Sequence, residues 1–180
     1  MAPRPWTSDE VAGALGVSSP KKLKFTSVFT DTRVPSPESL FVALKGENFD
    51  AHDFLAKAKE QGAIAAVVRR GTAPVAGLPF FEVDDTLEAL GLLGRARRRM
   101  LPEGTPVVAI TGSSGKTSTK EMIRAALSAR FKVHATSRNL NNRIGVPLTI
   151  LGAPEDTEAL VVEAGASVPG EIAKLRDIIE

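Results

Sequence analysis

The chain has 180 residues, a hydrophobic content of 43% and no cysteine, so it can form a folded core but cannot use disulfides or a catalytic thiolate. Its net charge of +2 is too small to indicate nucleic-acid binding. No apolar run approaches the ~18 residues of a membrane span, and residues 1–6 lack the apolar core of a signal peptide. We therefore expect a cytoplasmic protein made of one domain or two small ones.

The pattern of residues 1–84 predicts a small α/β domain. Thr7 and Glu10 form a capping-box pattern that begins a short helix, and Gly16 ends it. A second helix is expected over 51–61. Apolar runs bounded by turn residues predict four strands, at 25–30, 39–44, 63–68 and 79–83.

Residues 85–105 are predicted to form a connecting helix and a linker, with Asp85 as the N-cap. Strands and helices then alternate through residues 106–180, with strands at 107–111, 132–135 and 159–164 and helices at 116–130, 142–151 and 170–179. This alternation predicts a parallel sheet with crossover helices, whose ligands bind at the carboxyl ends of the strands. Three strands are few for such a sheet, so we expect the first part of a larger domain.

A glycine-rich turn lies between the strand at 107–111 and the helix at 116–130. Glycines let backbone N–H groups approach phosphate oxygens, and the start of the helix adds unpaired N–H groups and a positive dipole end. Lys116 would reach the terminal phosphates, and the Thr117 hydroxyl would hold Mg²⁺. The turn therefore predicts a nucleotide site, formed by Gly112, Ser113, Ser114, Gly115, Lys116, Thr117 and Ser118.

The spacing of this turn leaves an alternative open. Two residues separate Gly112 from Gly115, whereas the usual phosphate-binding loop has four residues between its glycines. The match is to a shortened variant, and the alternative is an ordinary glycine turn before a surface helix.

Glu163 stands near the end of the apolar strand predicted at 159–164. A carboxylate at that position would face the Mg²⁺ held by Thr117, because hard cations bind oxygen ligands. The alternative is a solvated charge at the end of a strand.

Three polar segments follow predicted strands. Arg33, in the segment 30–33, and Lys45, in the segment 45–53, could meet a diphosphate. The alternative is a pair of surface turns with a salt bridge. The asparagines of the segment 139–143 could bind a polar ligand, or serve as turn and capping residues.

Together, these segments resemble the Mur ligases of peptidoglycan synthesis. The resemblance extends from residue 30 to residue 180 and is carried by 30–33, 40–47, 49–54, 110–122, 139–149, 162–167 and 169–172. An asparagine-rich segment is followed by Gly-Val-Pro-Leu-Thr, and Glu-x-Gly-Ala-Ser stands downstream. This order of motifs resembles the order in the branch of the family that adds D-alanyl-D-alanine to UDP-N-acetylmuramoyl-tripeptide.

The resemblance implies a carbon–nitrogen ligase that uses ATP and Mg²⁺. ATP would phosphorylate the terminal carboxylate of UDP-N-acetylmuramoyl-tripeptide, and the amine of D-alanyl-D-alanine would attack the acyl phosphate. Lys116 and Glu163 would be catalytic, and Thr117 and Glu163 would hold the metal. The implied UDP-binding residues are Thr30, Asp31, Thr32, Arg33, Lys45, Gly46, His52 and Asp53. The residues implied to meet the muramoyl-peptide are Asn139, Asn141, Asn142 and Arg143.

Mur ligases continue well beyond these motifs. We therefore expect the chain to be the N-terminal part of such an enzyme, with little or no turnover by itself; the sequence makes no prediction of oligomeric state. Three other functions stay open: a non-catalytic module that binds a nucleotide or UDP-sugar, a sister Mur ligase that adds a different amino acid, and an unrelated NTPase.

Overall fold

A computed structural model describes residues 3–46 and 49–180 of the chain. The residues outside this description are Met1, Ala2, Glu47 and Asn48, the last two within the predicted polar segment 45–53. In the described part of the chain, no helix combines the length and the apolar character that crossing a membrane requires.

The chain divides into two compact units, each with its own parallel sheet. The first unit is Arg4–Leu93, and the second is Gly94–Glu180 together with Pro3. The elements of the first unit are β1 (Trp6–Thr7), α1 (Ser8–Leu15), β2 (Lys24–Phe25), β3 (Val28–Phe29), β4 (Ser39–Val42), a 3-10 helix (Ala51–Phe54), α2 (Leu55–Glu60), β5 (Ala63–Arg69) and β6 (Phe80–Val83). Helix α3 (Thr86–Arg99) contains the boundary between the units.

Strands β3, β4, β5 and β6 form a parallel sheet in chain order, and β1 and β2 form a separate antiparallel pair. The core of this unit joins Phe41, Ala66 and Val68 of the sheet to Leu55 and Ala58 of α2. Parallel strands place the loops that follow β3, β4 and β5 at one edge of the sheet.

The predicted capping box begins α1. The Thr7 hydroxyl accepts the Glu10 N–H at 3.2 Å, and the Glu10 carboxylate accepts the Thr7 N–H at 2.8 Å. Gly16 follows the helix in the left-handed conformation, which glycine adopts without a steric penalty.

The strand predicted over 25–30 is wrong in one respect, because the structure contains two short strands there. Strand β2 pairs with β1, whereas β3 pairs with β4. Between them, the Thr26 N–H donates to the Glu38 carbonyl at 2.9 Å and its hydroxyl donates to the Pro37 carbonyl at 2.8 Å. The chain changes its pairing strand from β1 to β4 at this point. An apolar pattern within one segment does not predict such a change.

The second unit continues the alternation of strands and helices. Its elements after α3 are β7 (Val107–Ile110), α4 (Lys116–Ser128), β8 (Val133–Ala135), α5 (Gly145–Leu151), β9 (Ala159–Glu163) and α6 (Glu171–Ile179). The three strands are parallel in the order β7-β9-β8, so the buried β9 lies at the centre. Its core joins Leu160 and Val162 of β9 to Val146, Ile150 and Leu175 of the helices.

Helix α5 begins at Gly145, three residues later than predicted. The Asn142 side chain is the cause, since its Oδ1 accepts the N–H groups of Ile144 and Gly145 at 3.1 and 2.8 Å. A Cβ atom at Gly145 would lie 2.3 Å from the backbone of Leu140. The close approach of these two backbone segments therefore requires glycine at this position.

Arginines of α3 bind the end of α6. Arg95 and Arg99 both pair with the Glu180 carboxylate at 2.6 Å, and Arg98 donates to the Ile179 carbonyl at 3.1 Å. The guanidinium groups of Arg99 and Arg95, Arg99 above all, lower the pKa of Glu180 to about 2. These three arginines are thus part of the packing of the second unit.

Candidate functional site

The loop 111–115 joins β7 to α4 and is exposed to solvent. Gly112 has a φ of 151° and Gly115 a φ of 74°, values that side chains with a Cβ rarely adopt. The Lys116 ammonium folds back over the loop and donates to the Gly112 carbonyl at 2.7 Å. Ser113, Ser114 and Ser118 are exposed. The loop and the start of α4 thus offer backbone N–H groups and a lysine to an anion.

Thr117 and Glu163, which the sequence places together, are in contact. Ile110 at the end of β7 lies opposite Glu163 at the end of β9, so the loop that follows β7 passes beside the carboxylate. The Thr117 hydroxyl donates to Glu163 Oε2 at 2.9 Å. Glu163 is only 3% exposed, which excludes the alternative of a solvated charge.

The donor set at this point fits Mg²⁺ bound to a nucleotide. One hydroxyl and one carboxylate oxygen, 2.9 Å apart, can bind the same ion. Mg²⁺ commonly takes one or two protein ligands and completes its coordination with phosphate oxygens and water. Among residues 3–46 and 49–180, no group of three or more His, Cys, Asp or Glu side chains forms a metal site.

Asn141 contacts the same carboxylate from the loop that follows β8. Its Nδ2 donates to Glu163 Oε1 at 2.9 Å, and its backbone carbonyl accepts the Gly165 N–H at 2.7 Å. The family resemblance implies that Asn141 meets the muramoyl-peptide, but the sequence does not predict this contact with Glu163. Finding it requires the order of the strands in the sheet, which puts β8 beside β9.

The other members of the segment 139–143 have different surroundings. Asn139 is exposed, whereas the Asn142 side chain is used in the turn before α5. Arg143 is partly buried, and its charge is one of the minor causes that lower the pKa of Glu171. The main cause is the pair of N–H groups from Ser167 and Val168 on that carboxylate.

The segment 30–33 follows β3 in the first unit. The Arg33 guanidinium pairs with the Asp31 carboxylate at 2.6 Å and, with the Arg33 N–H, lowers the pKa of Asp31 to about 2. Thr32 is buried and Thr30 partly buried. Arg33 therefore presents an exposed cation at the carboxyl edge of the sheet, already paired with a carboxylate of the same turn.

Lys45 and Gly46 follow β4 at the same edge. Lys45 lies 3.5 Å from Asp50, and the Gly46 N–H donates to the Phe49 carbonyl at 2.7 Å. Sequence reasoning missed Asp50, whose carboxylate also accepts the His52 N–H at 3.0 Å and thereby has a lowered pKa.

His52 has both ring nitrogens engaged within the first unit. Its Nδ1 meets Asp50 Oδ1 at 2.5 Å, and its Nε2 accepts the Arg69 N–H at 3.0 Å. An acceptor at Nε2 requires the neutral tautomer with the proton on Nδ1. Beside it lies a cleft of about 470 Å³, whose lining includes Asp50, His52, Asp53, Arg69, Arg70 and Thr72.

Comparison with known proteins identifies the family. The model of the Mur ligase middle domain matches residues 110–180. The UDP-N-acetylmuramoyl-tripeptide–D-alanyl-D-alanine ligase of Bacillus subtilis is 43% identical over 166 residues, 92% of this chain and 36% of the relative. That of Escherichia coli is 50% identical over 147 residues, 82% of this chain and 32% of the relative. The chain belongs to the Mur ligase family.

Solved Mur ligase structures agree in fold. A crystal structure of MurF from Acinetobacter baumannii matches 99% of this chain and 40% of its own, with a TM-score of 0.88 and 36% identity. MurF from Thermotoga maritima in complex with ADP matches 84% of this chain and 35% of its own, with a TM-score of 0.74 and 36% identity. The predicted α/β class with parallel sheets is confirmed. The chain spans about a third of the length of the curated relatives.

Proposed function

We propose that the chain carries the nucleotide loop and the UDP-binding unit of an ATP-dependent ligase that joins D-alanyl-D-alanine to UDP-N-acetylmuramoyl-tripeptide. The observation that supports this most is the contact of Thr117 with the buried Glu163 beside the loop. The names of the Bacillus subtilis and Escherichia coli relatives supply the substrates.

In this proposal, the loop residues bind the phosphates of ATP. The N–H groups at the start of α4 meet phosphate oxygens, and Lys116 exchanges the Gly112 carbonyl for the terminal phosphates. Thr117 and Glu163 hold Mg²⁺, which when bound withdraws negative charge from the phosphates. These groups would position and neutralise the phosphoryl group as it transfers.

The proposed reaction has two displacements. An oxygen of the tripeptide carboxylate bonds to the γ-phosphorus of ATP, and the bond to the bridging oxygen breaks to release ADP. The amine of D-alanyl-D-alanine then bonds to the acyl carbon, loses a proton and displaces inorganic phosphate. Positioning of the two substrates, rather than covalent participation of the protein, is what such a reaction requires.

The carboxyl edge of the first sheet would bind the UDP portion. Arg33 and Lys45 are the exposed cations there that we assign to the diphosphate, and each is paired with a carboxylate, Asp31 and Asp50. Binding would replace these weak exposed ion pairs with charge-assisted bonds to phosphate.

Calorimetry with a matched pair of lysine variants tests nucleotide binding. We expect Lys116→Ala to lower the affinity for Mg-ATP by about tenfold or more and to leave the affinity for UDP unchanged, because the ammonium meets only the ATP phosphates. Lys132→Ala is the control, since Lys132 is exposed and precedes β8, at the opposite end of the strand from the loop. Equal affinities in all three proteins would contradict the proposal.

Phosphate release from Mg-ATP tests the ligase reaction and its acceptor. In a protein that contains these 180 residues and the remaining length of the relatives, release should require both UDP-N-acetylmuramoyl-tripeptide and D-alanyl-D-alanine. Release with a single amino acid instead would indicate a sister ligase. Binding of UDP and ATP with no release would indicate a non-catalytic module, and release indifferent to both substrates an unrelated NTPase.

A further inference from the structure

Helix α4 contacts the carboxyl ends of all three strands of its sheet through one face. Lys116 donates to Gly112 after β7 at 2.7 Å, and Thr117 donates to Glu163 at the end of β9 at 2.9 Å. Lys120, one turn further along, donates from Nζ to the carbonyl of Thr136, directly after β8, at 2.8 Å. The first two side chains belong to the proposed nucleotide site, but the third has no role in it so far.

Lys120 is buried in a setting that does not favour an ammonium group. It is 3% exposed, and its acceptor residue Thr136 is 2% exposed. The nearby carboxylate, Glu121 Oε1 at 3.1 Å, belongs to a side chain that is 47% exposed and also pairs with Arg124. Burying a charge is unfavourable, and an apolar side chain of similar volume is often at least as stable. The lysine therefore points to a need for its particular hydrogen bond.

Thr136, the acceptor of Lys120, is hydrogen-bonded to Glu163. The Thr136 hydroxyl accepts the Glu163 N–H at 2.9 Å, and the Thr136 N–H donates to the Val161 carbonyl at 2.9 Å. From Thr136 the chain runs on to Asn141, whose amide meets the Glu163 carboxylate. The Lys120 bond thus fixes the first peptide of the segment that brings Asn141 to the site.

We infer that Lys120 is a positioning residue for the Mg-nucleotide site, acting through Thr136 and Asn141 on the backbone and carboxylate of Glu163. This inference rests on the proposed nucleotide binding. Lys120 touches neither nucleotide nor metal, and its effect is to hold β8 and the loop after it against β9.

Hydrogen exchange in the ligand-free chain separates this role from a general structural one. In Lys120→Met we expect about tenfold faster exchange at the Glu163 N–H, bonded to Thr136, and at the Gly165 N–H, bonded to Asn141. The Ala164 N–H, bonded to Ile110 of β7 on the other side, should exchange at its original rate. Equal acceleration at all three amides, or loss of cooperative folding, would overturn the inference.

Binding of Mg-ADP gives the second readout. Mg²⁺ should raise the affinity for ADP, and the factor by which it does so should be about ten times smaller in Lys120→Met than in the unsubstituted chain. Lys120→Arg should restore part of this Mg²⁺ effect. Glu121→Gln, which removes only the exposed carboxylate partner of Lys120, should leave the gain in ADP affinity from Mg²⁺ unchanged. An unchanged gain in Lys120→Met overturns the inference and leaves the proposed function standing. Failure of the unsubstituted chain to bind Mg-ADP would overturn both.

Discussion

Glu163 is the residue at which α4, the loop after β8 and β9 meet. Its carboxylate accepts hydrogen bonds from Thr117 and Asn141, and its own N–H is bound by Thr136. These two donors satisfy the buried carboxylate and keep its oxygens oriented.

Replacing this carboxylate tests its proposed role. Glu163→Gln keeps the shape of the side chain but removes the charge, so we expect affinity for Mg-ADP to fall by about tenfold or more, with little change for metal-free ADP. Calorimetry with and without Mg²⁺ measures the difference. Glu155→Gln, an exposed carboxylate before β9, is the control, and equal Mg²⁺ dependence in all proteins would contradict the assignment.

The turn at Asp31 provides a prediction about pH. Its pKa is lowered to about 2 by Arg33, compared with ~3.9 in an unfolded chain. Because the pKa is lower in the folded state, the ionised group stabilises the fold above pH ~4, and this contribution disappears as the pH falls through the folded pKa of about 2. The Asp31 side chain is 45% exposed, so the contribution is small.

An NMR titration of the carboxyl carbon measures this directly. We expect Arg33→Ala to return the pKa of Asp31 toward ~3.9. Arg70→Ala, which removes the partner of Asp84 instead, should leave it low. A pKa of Asp31 near the ordinary value in the unsubstituted chain would show that the ion pair does not form in solution.

At the scale of single residues, the sequence predicted that Glu163 faces the Mg²⁺ held by Thr117, because both positions end or follow parallel strands; their direct hydrogen bond comes from the structure. It did not predict the contact between Asn141 and Glu163, since that depends on β8 lying beside β9. Nor did it predict that His52 is bonded on both ring nitrogens, because its partner Arg69 lies at the end of β5, 17 residues further along the chain.

Among the elements, α5 begins at a glycine that packs closely against another backbone segment. Gly145→Ala would bring a Cβ atom to 2.3 Å from the backbone of Leu140, so we expect a loss of stability of about 1–3 kcal/mol. Gly13→Ala in α1 is the matched control, because nothing lies within 4 Å of its Cβ position, and it should stabilise by about 0.5–1 kcal/mol. Denaturant unfolding measures the free energy of unfolding of both variants. Equal changes in the two would contradict the close packing of Gly145 against Leu140.

The elements themselves were mostly predictable because capping residues and apolar periodicity are local signals. Asp85 caps α3 as expected, accepting the N–H groups of Leu87 and Glu88 at 2.7 and 3.0 Å. The errors occur where a side chain or a partner distant in sequence determines the boundary of an element. Asn142 delays the start of α5, and Thr26 interrupts the strand predicted at 25–30.

At the scale of the whole molecule, the proposed function divides between two units. The nucleotide loop lies in Gly94–Glu180 and the proposed UDP segments lie in Arg4–Leu93. Because the chain spans about a third of its curated relatives, we expect these 180 residues to bind both ligands but to turn over little ATP. Complete ligation by the 180-residue chain would contradict this expectation.

NMR mapping of the two ligands on the labelled chain tests the central claim most directly. Mg-ADP should shift the amide signals of 112–118 and of Glu163, in the second unit. UDP should shift those of 30–33 and 45–53, in the first. Two separate sets of shifted signals at these positions would support the proposed division of ligand binding between the two units. Mg-ADP binding that leaves the signals of 112–118 and Glu163 in place would contradict it.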